Sequence, residues 1–201
     1  MSVELVVASA NPGKLREIAE LLAGLDLGLR PLSEFPGLAL PPEAEDYAAN
    51  ARAKALAAAR GTGRPALGDD SGLEVEALGG APGPRSARYG GPDLDDAGRN
   101  ATLLRALGGV PAGARGARFV CVVALATPDG DVRLARGECR GRILDAPRGA
   151  AGFGYDPLFE VEGLGRSMAE LVPAEKNRLS HRARALAALR PELARLAAGA
   201  R

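Results

Sequence analysis

Apolar residues along the chain follow two spacings, one typical of buried strands and the other of amphipathic helices. The short run Leu5–Ser9 is rich in β-branched residues, which predicts a buried first strand. Apolar residues then recur at helical spacing up to Gly24, with Asn11 as a good N-cap and Pro12 suited to the first helical position. The run Ala117–Ala126 is the strongest strand in the chain and apolar enough to be central.

The same spacings predict the remaining elements and an α/β fold. Three further helices are expected: about Tyr47–Arg60, Asp95–Leu107, and a segment that ends at Leu189 with Ser180 as its N-cap. A turn at Pro128–Gly130 returns the strong strand into Val132–Arg140, which predicts a hairpin. Because an antiparallel pair joins a strand-helix alternation, we expect a mixed sheet.

Composition and charge bound the function classes. The chain has 201 residues, of which 46% are hydrophobic and 25% charged, so residues 1–201 are expected to form a single domain. The net charge of +1 provides no bulk attraction for nucleic acid or membranes, and no apolar stretch reaches the length of a membrane span. The N-terminus lacks a signal-peptide pattern, and Cys121 and Cys139 lie in strand-like runs without metal spacing. These features predict a cytoplasmic protein with buried thiols.

The most distinctive stretch is residues 68–73, Gly-Asp-Asp-Ser-Gly-Leu. It follows a short apolar strand, and Asp-Ser-Gly is typical of a turn, so Asp69 and Asp70 should project from the carboxyl end of that strand. Sites in α/β sheets lie at such ends. Two adjacent carboxylates repel one another, and a bound Mg²⁺ would offset that cost. The alternative is an acidic surface turn.

A second candidate site is the strand-to-helix turn at residues 9–14, Ser-Ala-Asn-Pro-Gly-Lys. Free backbone N–H groups at a helix start and the ammonium of Lys14 make an anion site, although a capped helix with a surface lysine explains the pattern equally well. In the next helix Asn50 and Lys54 share a face, and Glu43, Glu45 and Asp46 fit its first turn.

Two later segments carry candidate ligand-binding residues. Residues 152–157 read Gly-Phe-Gly-Tyr-Asp-Pro, in which the Phe153 ring could stack on a planar base or belong to the core. Residues 82–91 are too rich in glycine and proline for a regular element. Near the C-terminus, the only histidine, His181, adjoins Arg182 and follows Lys176, so hydrogen-bond donors converge there.

Five motifs together resemble the inosine triphosphate pyrophosphatase family, in order and approximate spacing, from residue 5 to about 190. They are residues 9–14, residues 69–73, Pro82-Gly83 with residues 86–89, residues 152–157, and Lys176 with residues 180–182. The resemblance implies an elongated α/β fold, with a long mixed sheet flanked by helices and a central active cleft between two lobes. It also implies a homodimeric, Mg²⁺-dependent enzyme that cleaves dITP, ITP and XTP to the nucleoside monophosphate and pyrophosphate.

The resemblance assigns roles residue by residue. Asp70 resembles the metal-linked general base of the family. The residues that resemble its substrate contacts are Ser9, Ala10, Asn11, Pro12, Gly13, Lys14, Lys54, Ser71, Phe153, Gly154, Tyr155, Asp156, Lys176, His181 and Arg182. The family's second metal ligand is a glutamate five residues before an aromatic residue, where this chain has Pro42. Glu43 is one position away and is the expected ligand, with Glu45 as the alternative.

Smaller departures from the family pattern are Arg85, where a tyrosine is common, and Ala49, where an acid is common. Three other functions stay open at this point. One is a related pyrophosphatase for pyrimidine triphosphates, another is a regulatory nucleotide-binding module without catalysis, and the third is an ordinary phosphatase that releases orthophosphate.

Overall fold

The structure is a computed structural model, and it describes residues 2–199. The strands are β1 (Val3–Ala8), β2 (Leu27–Pro31), β3 (Ala66–Val75), β4 (Gly116–Ala126), β5 (Val132–Ile143) and β6 (Phe159–Val161). The helices are α1 (Pro12–Leu21), α2 (Tyr47–Thr62), α3 (Asp96–Ala106), α4 (Pro173–Leu179) and α5 (His181–Ala197). No helix within this part of the chain combines the length and the apolar character needed to cross a membrane.

The strands form one mixed sheet in the order β2-β1-β3-β4-β5-β6. Strand β1 is parallel to β2 and to β3, whereas β5 is antiparallel to β6. The predicted α/β fold with a mixed sheet and flanking helices is therefore confirmed. Strands β2 and β6, which lie at the two edges of the sheet, were not predicted, because five and three residues carry too little pattern to be recognised.

The prediction that the strand ends at Asp69 and Asp70, with a turn at Asp-Ser-Gly, is wrong. Strand β3 runs without interruption from Ala66 to Val75 and includes the whole Asp-Asp-Ser-Gly sequence. Residues that favour turns are held in a strand here because their polar groups find partners and the following Leu73 and Val75 are buried. Strand β1 ends at Ala8, opposite Gly68, so the two aspartates do lie just beyond the carboxyl end of β1.

Three smaller predictions also need correction. The acids before α2 are not in its first turn, because the helix begins at Tyr47 and Asp46 is the N-cap, accepting a hydrogen bond from the Ala49 N–H at 2.6 Å. Residues 83–88 form a short 3-10 helix, in which the Ser86 hydroxyl donates to the Gly83 carbonyl. The last helix continues to Ala197, because the buried Leu193 offsets the hydrogen bond lost at Pro191.

The chain divides into two compact units. The first comprises residues 2–70, 121–137 and 182–199, and it has a core that includes Leu5, Ile18, Leu67, Val123 and Leu189. The second comprises residues 71–120 and 138–181, and it has a core that includes Leu73, Leu103, Phe119, Phe159 and Met168. A single domain over residues 1–201 stays a prediction, and residues 1, 200 and 201 lie outside the described part.

In the first unit, α2 packs against β3 at unusually short range. A Cβ atom at Gly68 would lie 2.2 Å from the Ala51 carbonyl oxygen and 2.8 Å from the Ala55 nitrogen, so any other residue there would displace the helix. Gly68 and Asp70 are two residues apart and therefore face the same side of the sheet. The close approach at Gly68 thus brings the polar side chains of α2 within reach of Asp70.

On the other side of β3, a buried ionic cluster connects this strand with α1, β4 and α5 of the same unit. Arg182 at the start of α5 is 1% exposed, donates to Asp69 Oδ2 at 2.8 Å, and is paired with Glu17 of α1. The Cys121 thiol of β4 donates to Asp69 Oδ2 at 3.2 Å. The predicted burial of Cys121 and Cys139 as free thiols is confirmed.

We expect Gly68→Ala to lower the free energy of unfolding by about 1–3 kcal/mol or more, because the added methyl group overlaps the backbone of α2. Gly113→Ala is the matched control, since a Cβ atom at Gly113 meets no atom within 4 Å. Urea denaturation of both variants measures the difference. Equal stabilities would contradict the close packing at Gly68.

We expect Arg182→Leu to lower the free energy of unfolding by about 3–5 kcal/mol at pH 7, because Asp69 and Glu17 would lose their buried cation. Arg190→Leu, at an exposed position of the same helix, should change it by less than about 0.5 kcal/mol. Denaturant titrations of the two variants provide the comparison. A stable Arg182→Leu protein would show that the cluster does not hold these elements together.

Candidate active site

Residues 9–14 lie at the beginning of α1, as the sequence predicts. The Asn11 side chain caps the helix by accepting from the Lys14 N–H at 3.1 Å, and Pro12 is the first helical residue. The Ser9 hydroxyl accepts from the Asn11 N–H at 3.2 Å, which fixes the turn. Ala10 and Asn11 are exposed, whereas Gly13 is buried. The exposed positive end of α1 is therefore available to an anion.

The Lys14 ammonium lies over the first of the two aspartates, with 2.5 Å between its Nζ and Asp69 Oδ1. Burial alone would raise the pKa of Asp69, but the charges of Arg182 and Lys14 and their hydrogen bonds hold it well below its usual range. Asp69 is therefore ionised, and each of its carboxylate oxygens contacts a cation. It fixes Lys14 at the start of α1. Because its pKa is low, Asp69 is a weaker base than a carboxylate with an ordinary pKa.

Asp70 faces α2 and has a separate set of partners. Its Oδ1 lies 2.9 Å from Lys54 Nζ, and its Oδ2 accepts from Asn50 Nδ2 at 2.9 Å. Lys54 is buried, and the expectation that Asn50 and Lys54 share a face is confirmed. Burial raises the pKa of Asp70 in spite of the lowering effect of Lys54. A carboxylate with a raised pKa is a stronger base, and it lies next to a permanent cation.

Glu43 reaches the same ammonium as Asp70. Its carboxylate forms an ion pair with Lys54, although it belongs to the connection before α2. Asn50 holds that connection in place, because its side chain accepts from the Ala44 N–H at 2.6 Å and donates to the Ala44 carbonyl at 2.9 Å. Burial opposes the charged form of Lys54, but the two carboxylates raise its pKa, so it stays protonated.

The carboxylates of Asp70 and Glu43 fit a hard divalent cation. Both already converge on one cationic group, Lys54 Nζ, and carboxylate oxygens are the ligands that Mg²⁺ prefers. Among residues 2–199 no three His, Cys, Asp or Glu side chains form a metal-binding cluster. A pair of carboxylates is sufficient for Mg²⁺, which usually keeps several waters and takes further ligands from substrate phosphates.

The second unit contains the predicted aromatic segment. Asp156 Oδ2 accepts from the Phe153 N–H at 3.0 Å and is paired with Lys176 Nζ, and this ammonium lies 5.1 Å from the centre of the Phe153 ring. The buried Tyr155 donates its hydroxyl hydrogen to the Ser86 carbonyl at 2.9 Å, and burial raises its pKa. Phe153 and Lys176 are thus brought together, while Tyr155 is a core residue.

Three further predicted site residues are His181, Ser71 and Arg182. His181 is buried and stacks on Phe119 with 4.8 Å between ring centres. Ser71 follows Asp70 in β3 and is half-buried. Arg182 directs its donors at Asp69 and Glu17. Glu17 was not predicted as a partner of Arg182, although an acid beside the apolar Ile18 on the buried face of α1 is a signal for an internal ion pair.

Comparison with known proteins identifies the family. Residues 5–192 match the model of the Ham1 family. A Geobacillus kaustophilus protein named dITP/XTP pyrophosphatase is 49% identical over 189 residues, which cover 92% of each chain. A Deinococcus deserti protein of the same name is 52% identical over 187 residues, which cover 92% of this chain and 87% of that protein.

Solved structures agree with this comparison. The structure of a HAM1 protein from Coxiella burnetii has a TM-score of 0.83 and 43% identity, and the match covers 95% of this chain and 98% of that one. The Staphylococcus aureus Ham1 protein has a TM-score of 0.84 and 37% identity, with 94% and 97% covered. The resemblance predicted from the five motifs is confirmed, and the chain belongs to the Ham1 family.

Proposed function

We propose that this protein is a nucleoside triphosphate pyrophosphatase, which hydrolyses the non-standard purine nucleotides dITP, ITP and XTP to the monophosphate and pyrophosphate. Its relatives at about half sequence identity are named dITP/XTP pyrophosphatases. The observation that carries the proposal is the buried Asp70, which is paired with Lys54 and Asn50 and has Glu43 at the same ammonium. Removal of such nucleotides from the pool before their incorporation into nucleic acid would follow from this activity.

The triphosphate is the part of the substrate that the first unit is best suited to bind. The N-terminus of α1 offers backbone N–H groups and the positive end of the helix dipole, and Lys14 and Lys54 add two fixed ammonium groups. Ser9 and Asn11 set the conformation of this turn. These groups stabilise the charge that develops on the phosphate oxygens during displacement.

We propose that Mg²⁺ is held by Asp70 and a glutamate. Glu43 is the preferred glutamate, and Glu45 is the alternative. The shared contact of Glu43 and Asp70 with Lys54 supports this choice. Bound Mg²⁺ would neutralise triphosphate oxygens and lower the pKa of a nearby water.

Asp70 is the proposed general base. It orients a water molecule and takes its proton as the oxygen attacks the α-phosphorus, and pyrophosphate leaves in line. The raised pKa of Asp70 favours proton transfer, while Asn50 and Lys54 hold the carboxylate in a single orientation. Asp69, with its low pKa and its ion pairs with Lys14 and Arg182, fixes Lys14 and does not take the proton.

Base recognition is assigned to the aromatic segment and the donors near His181. The Lys176 ammonium lies near the face of the Phe153 ring. An aromatic ring of this kind is suited to stacking on a purine. Hypoxanthine and xanthine have an acceptor at position 6, whereas adenine has a donor, so a pocket of donors rejects adenine. Because the Arg182 donors face Asp69 and Glu17, we assign Arg182 to the support of Asp69, while base contacts from Lys176 and His181 stay predictions.

The remaining expectations stay proposals. These are the homodimeric state, the elongated two-lobed shape with a central cleft, and the cytoplasmic location. Substrate contacts by Ser71, Gly154, Tyr155 and Asp156 also stay predictions, and the Tyr155 hydroxyl is already bonded to the Ser86 carbonyl.

A panel of nucleotides with Mg²⁺ tests the function. We expect ITP, dITP and XTP to give the monophosphate and pyrophosphate, and ATP to be cleaved up to about 10⁴-fold less efficiently because its 6-amino group would face donors. Pyrophosphate and orthophosphate are measured separately. Preference for dTTP or UTP would indicate a pyrimidine enzyme, orthophosphate release an ordinary phosphatase, and equal ATP cleavage would exclude the donor pocket.

We expect Asp70→Asn to lower kcat for ITP by about 10²–10⁴-fold, because the carboxamide cannot accept the proton from water. The variant should keep a thermal transition close to that of the wild type, since the two side chains have the same shape. Asp129→Asn, in the exposed turn between β4 and β5, is the control and should retain full activity. Near-normal turnover by Asp70→Asn would remove this residue from the catalytic role.

A further inference from the structure

Helix α3 binds both polar backbone groups of Gly154, the residue after Phe153. The Gly154 N–H donates to Asp96 Oδ2 at 2.7 Å, and the Gly154 carbonyl accepts from Asn100 Nδ2 at 3.0 Å. Asp96 is the first residue of α3 and Asn100 is four residues later, so the two side chains lie on the same face of the helix.

These two hydrogen bonds add to the restraints within the segment, where the Ala151 N–H donates to the Ala169 carbonyl at 3.1 Å and the Asp156 N–H donates to the Phe153 carbonyl at 3.3 Å. Gly152 and Gly154 have φ angles of +78° and +62°, a region of backbone conformation that glycine adopts without strain and other residues rarely adopt. Between them, the Phe153 N–H is bound by Asp156. Phe153 is therefore held on one side by Asp156 and on the other by α3 through Gly154.

An open cavity lies between α3 and this segment. A cavity of about 530 Å³ is lined by both, including Ala97, Ala101 and Leu104 of the helix and Pro147, Ala150 and Phe153 of the segment. The polar contacts of Asp96 and Asn100 with Gly154 therefore join the helix and the segment beside this open space.

Asn100 is also a poor choice for the stability of α3 itself. It is 6% exposed, and its Oδ1 is buried without a hydrogen-bond partner among residues 2–199. A buried unsatisfied oxygen is destabilising, and asparagine has a lower helix propensity than alanine or leucine. The amide nitrogen of the same side chain donates to the Gly154 carbonyl, so the hydrogen bond of Asn100 is made to the segment and not within α3.

We propose that Asp96 and Asn100 are positioning residues, which fix the Phe153 ring in the orientation that accepts a purine base. The proposal rests on the proposed function, in which Phe153 stacks on the base. Neither side chain contacts the substrate in this assignment. Their effect is transmitted through the two hydrogen bonds to Gly154.

Steady-state kinetics with ITP tests the proposal. We expect Asn100→Ala and Asp96→Ala each to raise KM about tenfold and to change kcat by less than about threefold, because stacking on the base is lost equally from the ground state and the transition state. Asp96→Asn keeps an acceptor oxygen for the Gly154 N–H and should restore a KM close to that of the wild type. Calorimetric titration with ITP measures the same change as a rise in Kd without turnover.

Asp95→Ala is the matched control for damage to the helix. Asp95 is the N-cap of α3 and accepts from the Gly98 N–H at 2.8 Å, but it has no hydrogen bond to Gly154 among those described. Its replacement should lower the thermal transition of the protein and leave KM unchanged.

A double variant tests whether Asn100 acts through Phe153. In a Phe153→Ala background, Asn100→Ala should raise KM by less than about twofold, because the ring that it positions is absent. A full tenfold rise in that background, or an equal rise with Asp95→Ala, would overturn the proposal. A wild-type KM for Phe153→Ala would also overturn it, while release of pyrophosphate from ITP by the wild type would leave the proposed function intact.

Discussion

Two adjacent carboxylates buried in one strand are the constraint on which the first unit depends. Successive side chains of a strand point to opposite faces, so Asp69 and Asp70 cannot share one counter-charge. Each has its own: Lys14 and Arg182 for Asp69, and Lys54 for Asp70. Because an unpaired buried charge is strongly destabilising, α1, α2 and α5 must all supply polar groups to β3.

This arrangement separates the two aspartates chemically. Asp69 is surrounded by cations and has a low pKa, so its role is to anchor Lys14 and Arg182. Asp70 has a raised pKa, and its carboxylate is shared between Lys54 and Asn50. Neighbouring residues of one chemical type thereby acquire different roles, one structural and one suited to catalysis. The identity of residue 68 contributes as well, since only glycine lets α2 approach closely enough for those contacts.

In the second unit, the corresponding constraint is the orientation of the Phe153 ring on an irregular segment. The glycines on both sides of Phe153 have positive φ angles, and the backbone of this segment forms hydrogen bonds with the side chains of Asp96, Asn100 and Asp156. The Lys176 ammonium, itself paired with Asp156, lies near the face of the ring. A polar framework of this kind keeps the ring accessible, whereas a packed apolar core would have enclosed it.

The sequence by itself determined the α/β class, the mixed sheet, the start of α1 with Asn11 as its cap, and the family, because periodicity, capping residues and motif order are local properties. Only the tertiary structure decided that residues 68–72 form a strand, since local turn preference yields to pairing and burial. It also decided the partners of Arg182, Glu17 and Asn100. Contacts between residues far apart in the chain leave no periodic signal, and the cost of burying a charge is set by what the fold brings beside it.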